Sequence, residues 1–280
     1  NYDYKDMVYL NDNEMREVTG SDTYYGGSYD EAEAHCHPLN YALGIAEAAL
    51  SMGAKLYENS SALSYKVFDD HVRVTTKNGS VKADRIVLAC NGYLGNLEKS
   101  LTSKILPMNN YIVATKPLDD ETVQKINPKD IAFADSRFVI NYFRMSADKR
   151  LLFGGGENYS QELSKNIVPI VTRPLEKIYP FLKGIKIDYA WGGKLAITMN
   201  RLPFFTTLKN ERVISAQGYS GQGVALASYS GKIVSEKILG SGKTFDLMAK
   251  IPRQSFPGGR FLRNPSMKLG MLYYSLLDRI

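Results

Sequence analysis

The stretch from Arg212 to Leu239 constrains this chain more than any other. A short apolar run, Arg212 to Ala216, leads into Gln217-Gly218-Tyr219-Ser220-Gly221-Gln222-Gly223. A helical pattern follows from Val224 until Gly240 stops it. A buried strand that turns through glycines into a helix leaves the first helical N–H groups without intrahelical acceptors, and the helix dipole adds positive character there. Such a turn is a ready seat for an anion or a polarised carbonyl. The competing use of glycine is simply to supply positive φ in a tight turn. Gly223, Ala227 and Gly231 fall four apart, so one stripe of the helix carries almost no side chain and admits another backbone or a flat ligand.

The run Arg85 to Cys90 does not alternate apolar with polar residues, so it reads as a parallel strand buried on both faces and ended by Asn91-Gly92. Before it, Asn40 to Met52 carries Leu43, Ile45, Ala46, Ala49 and Leu50 at helical spacing, with Gly53 as the stop. A short strand, Lys55 to Tyr57, follows. Leu63 to Phe68 and His71 to Lys77 read as paired strands. Asn78-Gly79 signals a two-residue hairpin with positive φ at both turn positions, and Ser80 to Ala83 returns. Between Leu106 and Lys186 the character changes. Tyr111 to Thr115, Phe138 to Phe143 and Arg150 to Gly154 read as strands of an antiparallel sheet, with Ala147-Asp148-Lys149 as a hairpin turn. One helix is expected over Val168 to Leu182, with Pro174 near its start and Pro180 near its end. The order predicts a mixed α/β (α+β) chain in which a second domain interrupts the first.

Composition acts as a filter. With 280 residues, 44% hydrophobic and 23% charged, the chain can form one large domain or two ordinary ones, and disorder, collagen and disulfide scaffolds are excluded. The net charge of +6 is scattered, with no basic run, so nucleic acid is not indicated. No apolar run reaches the roughly 18 residues of a membrane span, and no signal-peptide pattern opens the chain. Cys36 and Cys90 read as reduced thiols of a cytoplasmic protein. The first residue is Asn1 rather than Met, so the chain is expected to begin inside a longer reading frame or to have been processed.

Other motifs are less specific. Tyr189 to Gly193 sets the only tryptophan, Trp191, beside two glycines. The ring packs in a core, or the backbone there meets a ligand; Gly154-Gly155-Gly156 leaves the same alternatives. His35, Cys36 and His37 are spaced poorly for a tetrahedral metal site. Tyr142 and Arg144 share one face of a strand and either line a pocket or serve the structure. No G-x-S-x-G elbow, P-loop or H-E-x-x-H occurs.

Taken in order, Tyr24 to Asp30, His35 to Gly44, Gly53 to Ser60, Ile86 to Leu94, Tyr142 to Arg144 with Arg150 to Gly155, Trp191 to Gly193 with Thr198 and Leu202-Pro203, Gly218 to Ala225, and Phe256 to Gly259 span nearly the whole chain. This series resembles the D-amino acid oxidase-like FAD-dependent oxidoreductases, and within them the gamma-glutamylputrescine oxidoreductase branch. The resemblance implies an FAD-binding domain of the glutathione-reductase type, incomplete here, interrupted by an antiparallel-sheet substrate domain. The implied boundaries are 30–104 and 187–242 for the FAD domain and 1–29 and 105–186 for the substrate domain, with 243–280 as a C-terminal tail packing on the FAD domain.

By the same resemblance, FAD would be met by Ala62, by Ala89, Cys90, Asn91 and Gly92, by Trp191, Gly193 and Thr198, and by Gly218 to Val224 (Tyr219, Ser220, Gly221, Gln222 and Gly223 between). Tyr142, Arg144, Lys194 and Tyr219 would meet the substrate. The implied activity is hydride transfer from an amine to flavin, with no acid–base residue evident.

Two departures from the family pattern matter. No G-x-G-x-x-G follows a strand here, so the family's opening dinucleotide-binding segment is expected upstream of Asn1 and counted as a missing partner of this stretch. Leu195 and Ala196 stand where amino acid oxidases of the family tend to carry an arginine for the substrate carboxylate, which favours an amine without an α-carboxylate. The alternatives are a sarcosine, glycine or D-amino acid oxidase or dehydrogenase, and a non-catalytic homologue acting as a binding subunit. Met267 to Leu277 is an amphipathic stretch suited to capping the domain or meeting another copy, which leaves a homo-oligomer open.

Overall fold

In a computed structural model, residues 4–137, 139–158 and 162–259 are described, together with Leu262, Pro265, Leu269 and Gly270. Most of the Met267 to Leu277 stretch, and Phe138, lie outside the described residues. The elements up to the middle of the chain are β1 (Met7–Asn11), α1 (Asp12–Thr19), β2 (Gly26–Asp30), α2 (Pro38–Ser51), β3 (Ser64–Val67), β4 (Val72–Thr75), β5 (Ser80–Ala83), β6 (Ile86–Leu88), α3 (Lys99–Thr102), β7 (Leu106–Thr115) and α4 (Asp120–Ile126). There follow β8 (Phe133–Ala134), β9 (Tyr142–Met145), β10 (Leu151–Asn158), α5 (Val168–Ile178), β11 (Ile187–Ile197), β12 (Phe204–Leu208), β13 (Val213–Gln217), α6 (Gly223–Ile238) and α7 (Lys243–Ala249). The fold is mixed α/β. It divides into two compact units, one drawn chiefly from Asn1–Leu43 and Asn109–Gly193, the other from Gly44–Met108 and Lys194–Leu272.

The first unit is organised by a five-stranded sheet in the order β11-β7-β10-β9-β8. Alternation along β9 and β10 sends Phe143, Met145, Leu151 and Phe153 to one face, where they meet Tyr111, Val113 and the apolar side of α5. Phe143 stacks on Phe133 at 4.8 Å and on Phe153 at 5.5 Å, with Tyr179 edge-on at 5.6 Å. The predicted helix over Val168 to Leu182 is shorter than expected. It ends at Ile178, because Tyr179 precedes a proline and takes φ −126° and ψ 76°; a single 3-10 turn, Pro180–Leu182, follows. The predicted strand at Phe138 to Phe143 starts only at Tyr142, since Asn141 is occupied in bonding the Asp135 carboxylate from its backbone N–H at 2.9 Å and its side chain at 2.7 Å.

The second unit holds a three-stranded sheet, β12-β13-β6, in which β13 and β6 run parallel, and the antiparallel meander β3-β4-β5. The meander's second connection forms as a four-residue loop, with Thr76 N–H on Gly79 O at 2.8 Å and Thr75 opposite Ser80. Neither Asn78 nor Gly79 has positive φ, so the two-residue hairpin expected from the sequence is corrected. Lys55 to Tyr57 is not a strand among the described residues, and Leu56 and Tyr57 are exposed. β6 is parallel as expected but is not buried on both faces. It is the last strand of its sheet, and Val87 is 39% exposed.

Candidate functional site

In the second unit β13 is buried along its whole length and delivers the glycine loop. Val213 joins the cluster of Leu88, Leu94, Ala196 and Phe204 on one face, while Ile214 and Ala216 pack against Phe205, Ile233 and Phe245 on the other. The chain then turns through Gly218 at φ +77°, Ser220 at φ 51° and Gly221 at φ +101°. A Cβ on Gly218 would lie 2.6 Å from Thr198 Cγ2, so both the backbone angle and the packing demand glycine there.

Three segments far apart in sequence meet at this loop. Gly218 N–H donates to Asn91 Oδ1 at 3.1 Å, Ser220 N–H to Ala196 O at 3.0 Å, and Thr198 N–H to Ser220 Oγ at 3.2 Å. Gly92 is buried so close to the end of β11 that an added Cβ would stand 2.5 Å from Lys194 O and 2.9 Å from Leu195 O. Lys194 N–H donates in turn to Tyr93 Oη at 3.0 Å. α6 then starts at Gly223 with no side-chain cap, and Val224 is 52% exposed. Sixteen residues of helix thus open on uncapped N–H groups beside strand ends, a seat for negative charge.

Within this cluster the expected residues take distinct parts. Asn91, Gly92, Thr198, Gly218 and Ser220 are tied together directly. Cys90 packs half-buried against the Leu88 cluster, and burial pushes its thiol up. Ala89 is exposed at the end of β6, and Ala62 is exposed just before β3. The Tyr219 ring is turned inward. Its hydroxyl donates to Ala216 O at 3.1 Å, and burial raises its pKa, so the loop presents backbone rather than phenol at that position. Ala196 points into the core at 1% exposure, so any longer side chain there would be buried.

The first unit carries the other candidates. Tyr142 and Arg144 lie on the sheet face opposite the aromatic cluster, paired with Gly154 and Leu152. A Cβ on Gly154 would fall 2.1 Å from the Tyr142 ring; glycine there lets the ring lie across the sheet, where its hydroxyl donates to Asn110 Oδ1. Gly192 likewise makes room for the Tyr111 ring, 2.6 Å from the position a Cβ would take. Trp191 is 44% exposed, which corrects the core-packing alternative for its ring. His37 Nδ1 accepts from Asn40 N–H at the start of α2, and His35 Nε2 bonds Asp130 O at 2.9 Å.

Sequence reasoning missed Asn110 and Gln217. Gln217 is fully buried, yet neither Oε1 nor Nε2 has a partner among the described residues. The available signal was one amide ending a strand whose other residues, Ser215 apart, are apolar. An uncapped helix start, a glycine-lined approach and an orphaned buried amide are together a fitting setting for a flat, polar, anionic cofactor such as FAD.

The chain belongs to the FAD-dependent oxidoreductases. The profile of the DAO family, described as FAD dependent oxidoreductase, matches residues 2–237. The chain is 38% identical over 278 residues to a probable oxidoreductase, OrdL, of Rhizobium meliloti, covering 99% of this chain and 64% of that one. It is 36% identical over 280 residues to the gamma-glutamylputrescine oxidoreductase of Escherichia coli, covering 100% of this chain and 65% of that one. The chain therefore spans slightly under two thirds of these relatives. Among solved structures, glycine oxidase from Geobacillus kaustophilus has the same fold, with a TM-score of 0.74 over 89% of this chain and 67% of its own, at 19% identity. FAD is the family's cofactor. No helix of the described residues is long and apolar enough to cross a membrane.

Proposed function

We propose that the protein containing this chain oxidises the C–N bond of an amine with FAD, acting on gamma-glutamylputrescine or a similar amine. The observation that carries the reading is the uncapped start of α6 behind a loop bonded to Asn91 and to the end of β11. Bound FAD supplies the two-electron sink for a hydride leaving the carbon next to the amine nitrogen. The protein's share is position and charge. The free N–H groups at the start of α6 would hold negative charge, and Asn91, Thr198 and Ser220 keep the loop in the conformation that leaves them free. Gly92 and Gly218 hold the neighbouring backbones close.

On the substrate side, Tyr142 and Arg144 would orient the amine. Arg144 would offer its guanidinium to a carboxylate or carbonyl remote from the reacting nitrogen, which a γ-glutamyl group carries; Lys194, in the second unit, is a separate candidate for such a contact. The inward Ala196 supports an amine without a carboxylate beside the reacting carbon. The free thiols of Cys36 and Cys90 fit a reducing cytoplasm.

The test is the visible spectrum of the full-length protein under anaerobic conditions. A flavin spectrum that bleaches on adding gamma-glutamylputrescine supports the reading. Bleaching only with glycine, sarcosine or D-amino acids would move the substrate to the α-amino acids. A colourless protein that takes up no added FAD would end the enzyme reading and leave a binding subunit.

A further inference from the structure

We propose that the second unit carries a separate binding site, independent of the reading above, for a phosphate monoester with an apolar body. The site is an open groove of about 670 Å³, floored by Phe204, Leu208 and Ile251 and edged by Lys104, Lys250 and Arg253. That volume lies in the small-molecule range of roughly 300–1,000 Å³.

The lining brings three cations together and no carboxylate. Elsewhere Arg150 and Lys237 are paired with acids: Arg150 meets Asp148 and Asp188, both at 2.6 Å, and Lys237 meets Glu211 at 3.1 Å and Asp246 at 3.0 Å. In the groove Arg253 and Lys104 are held by neutral groups instead. Arg253 Nη1 donates to Thr206 Oγ1 at 2.6 Å, and its guanidinium lies over the Phe204 ring at 5.7 Å. Lys104 Nζ donates to Arg253 O at 3.0 Å. Thr206 is itself 4% exposed, so the group that orients the guanidinium is fixed. The acid bonded to a lining residue, Glu98 through Ser100, is engaged by Tyr65 and lies 4.0 Å from Lys209.

These contacts position positive charge without neutralising it. A tetrahedral dianion presents three acceptor oxygens and can meet two or three such donors at once, which a single carboxylate does less well. Leu208 and Ile251, both part-exposed, leave apolar surface beside the cations, which an ester substituent would cover and a bare inorganic ion would not.

The experiment is calorimetric titration of the full-length protein, with FAD saturating so that any dinucleotide site is filled, using phenyl phosphate and inorganic phosphate as probes. Phenyl phosphate should saturate with a dissociation constant below about 1 mM. Inorganic phosphate should bind at least about fivefold more weakly, for want of the apolar contact. Arg253→Met should weaken phenyl phosphate at least about tenfold. Lys250→Met, at an exposed position that does not endanger folding, should weaken it by a smaller factor, and the exposed Lys183→Met should leave it unchanged. No saturation at millimolar phenyl phosphate, unchanged affinity in both Arg253→Met and Lys250→Met, or equal affinity for the two probes would overturn the proposal.

Discussion

The two units cover their apolar residues to very different degrees. In the first, Tyr111, Leu151, Phe153, Val171, Leu175 and Tyr179 show no exposed surface, and one sheet face and one helix suffice to enclose them. α2, which enters the second unit at Gly44, has no buried residue at all; within that unit Ile45 is 48% exposed and Leu50 50%. β6, apolar throughout, stands at the edge of its sheet. An apolar pattern therefore states that a face calls for cover, not that the cover comes from the same stretch of chain. The sequence signals at Asn40 to Met52 and at Tyr111 to Thr115 are of similar strength, and only one of them is enclosed.

Substitutions can break or sharpen that contrast, beginning with the largest expected effect. Phe153→Ala, in the enclosed unit, should cost about 3–5 kcal/mol in urea unfolding, because the ring leaves a cavity among Phe143, Tyr111 and α5. A cost below about 1 kcal/mol would mean the cluster is not a close-packed core. Gly92→Ala drives a Cβ onto the carbonyls of Lys194 and Leu195. It should destabilise by about 1–3 kcal/mol and weaken FAD uptake, read by flavin fluorescence alongside the melting curve.

Gln217→Leu runs the opposite way. If nothing further bonds the buried amide, removing two unpartnered polar atoms should stabilise residues 1–280 by about 1 kcal/mol. The same change should destabilise the FAD-loaded full-length protein if the amide finds its partner there. Smaller again is a pH effect at Glu98. Burial opposes its charge, but hydrogen bonds from Tyr65 and Ser100 with the charge of Lys209 outweigh that, and its carboxyl titrates below the ordinary 4.5. The unfolded chain then takes up the proton first. The stabilisation is complete above the ordinary value and is lost as pH falls through the folded one. Glu98→Gln should flatten that acid limb, seen as urea midpoints that change less between about pH 3 and 6. Last, Leu43→Ser on open α2 should change the stability of residues 1–280 by no more than about 0.5 kcal/mol. A cost of about 2 kcal/mol or more in the full-length protein would show that other residues cover this helix.

Much of the local structure was legible beforehand. Gly53 and Gly240 end α2 and α6 with positive φ, and the Ala147-Asp148-Lys149 turn closes with Ser146 and Arg150 bonded across it. The loop from Gly218 to Gly223 was legible as a strand-to-helix turn because its glycines are needed one by one. Less legible were the elements whose cause lies elsewhere. The antiparallel pair β1–β2 and the helix α1 that joins its strands drew no reading from the sequence, although the Asn11 and Glu14 capping box marks the start of that helix. Lys55 to Tyr57 has the composition of a strand, but a strand exists only where a neighbour completes its hydrogen bonds.

The sequence alone determined which segments turn, which alternate and which stay apolar, since these follow from the local steric limits of glycine and proline and from the periods of helix and strand. Only the tertiary structure decided that Asn91 and Thr198 meet at the loop of Ser220, that Tyr219 turns its hydroxyl inward, and that Tyr142 lies over Gly154 to reach Asn110. Apart from the Tyr219 hydroxyl, which reaches only back to Ala216, these are contacts between residues 12 to 127 positions apart. Local propensity carries no term for them, because their energy arises only once packing has brought the strands side by side.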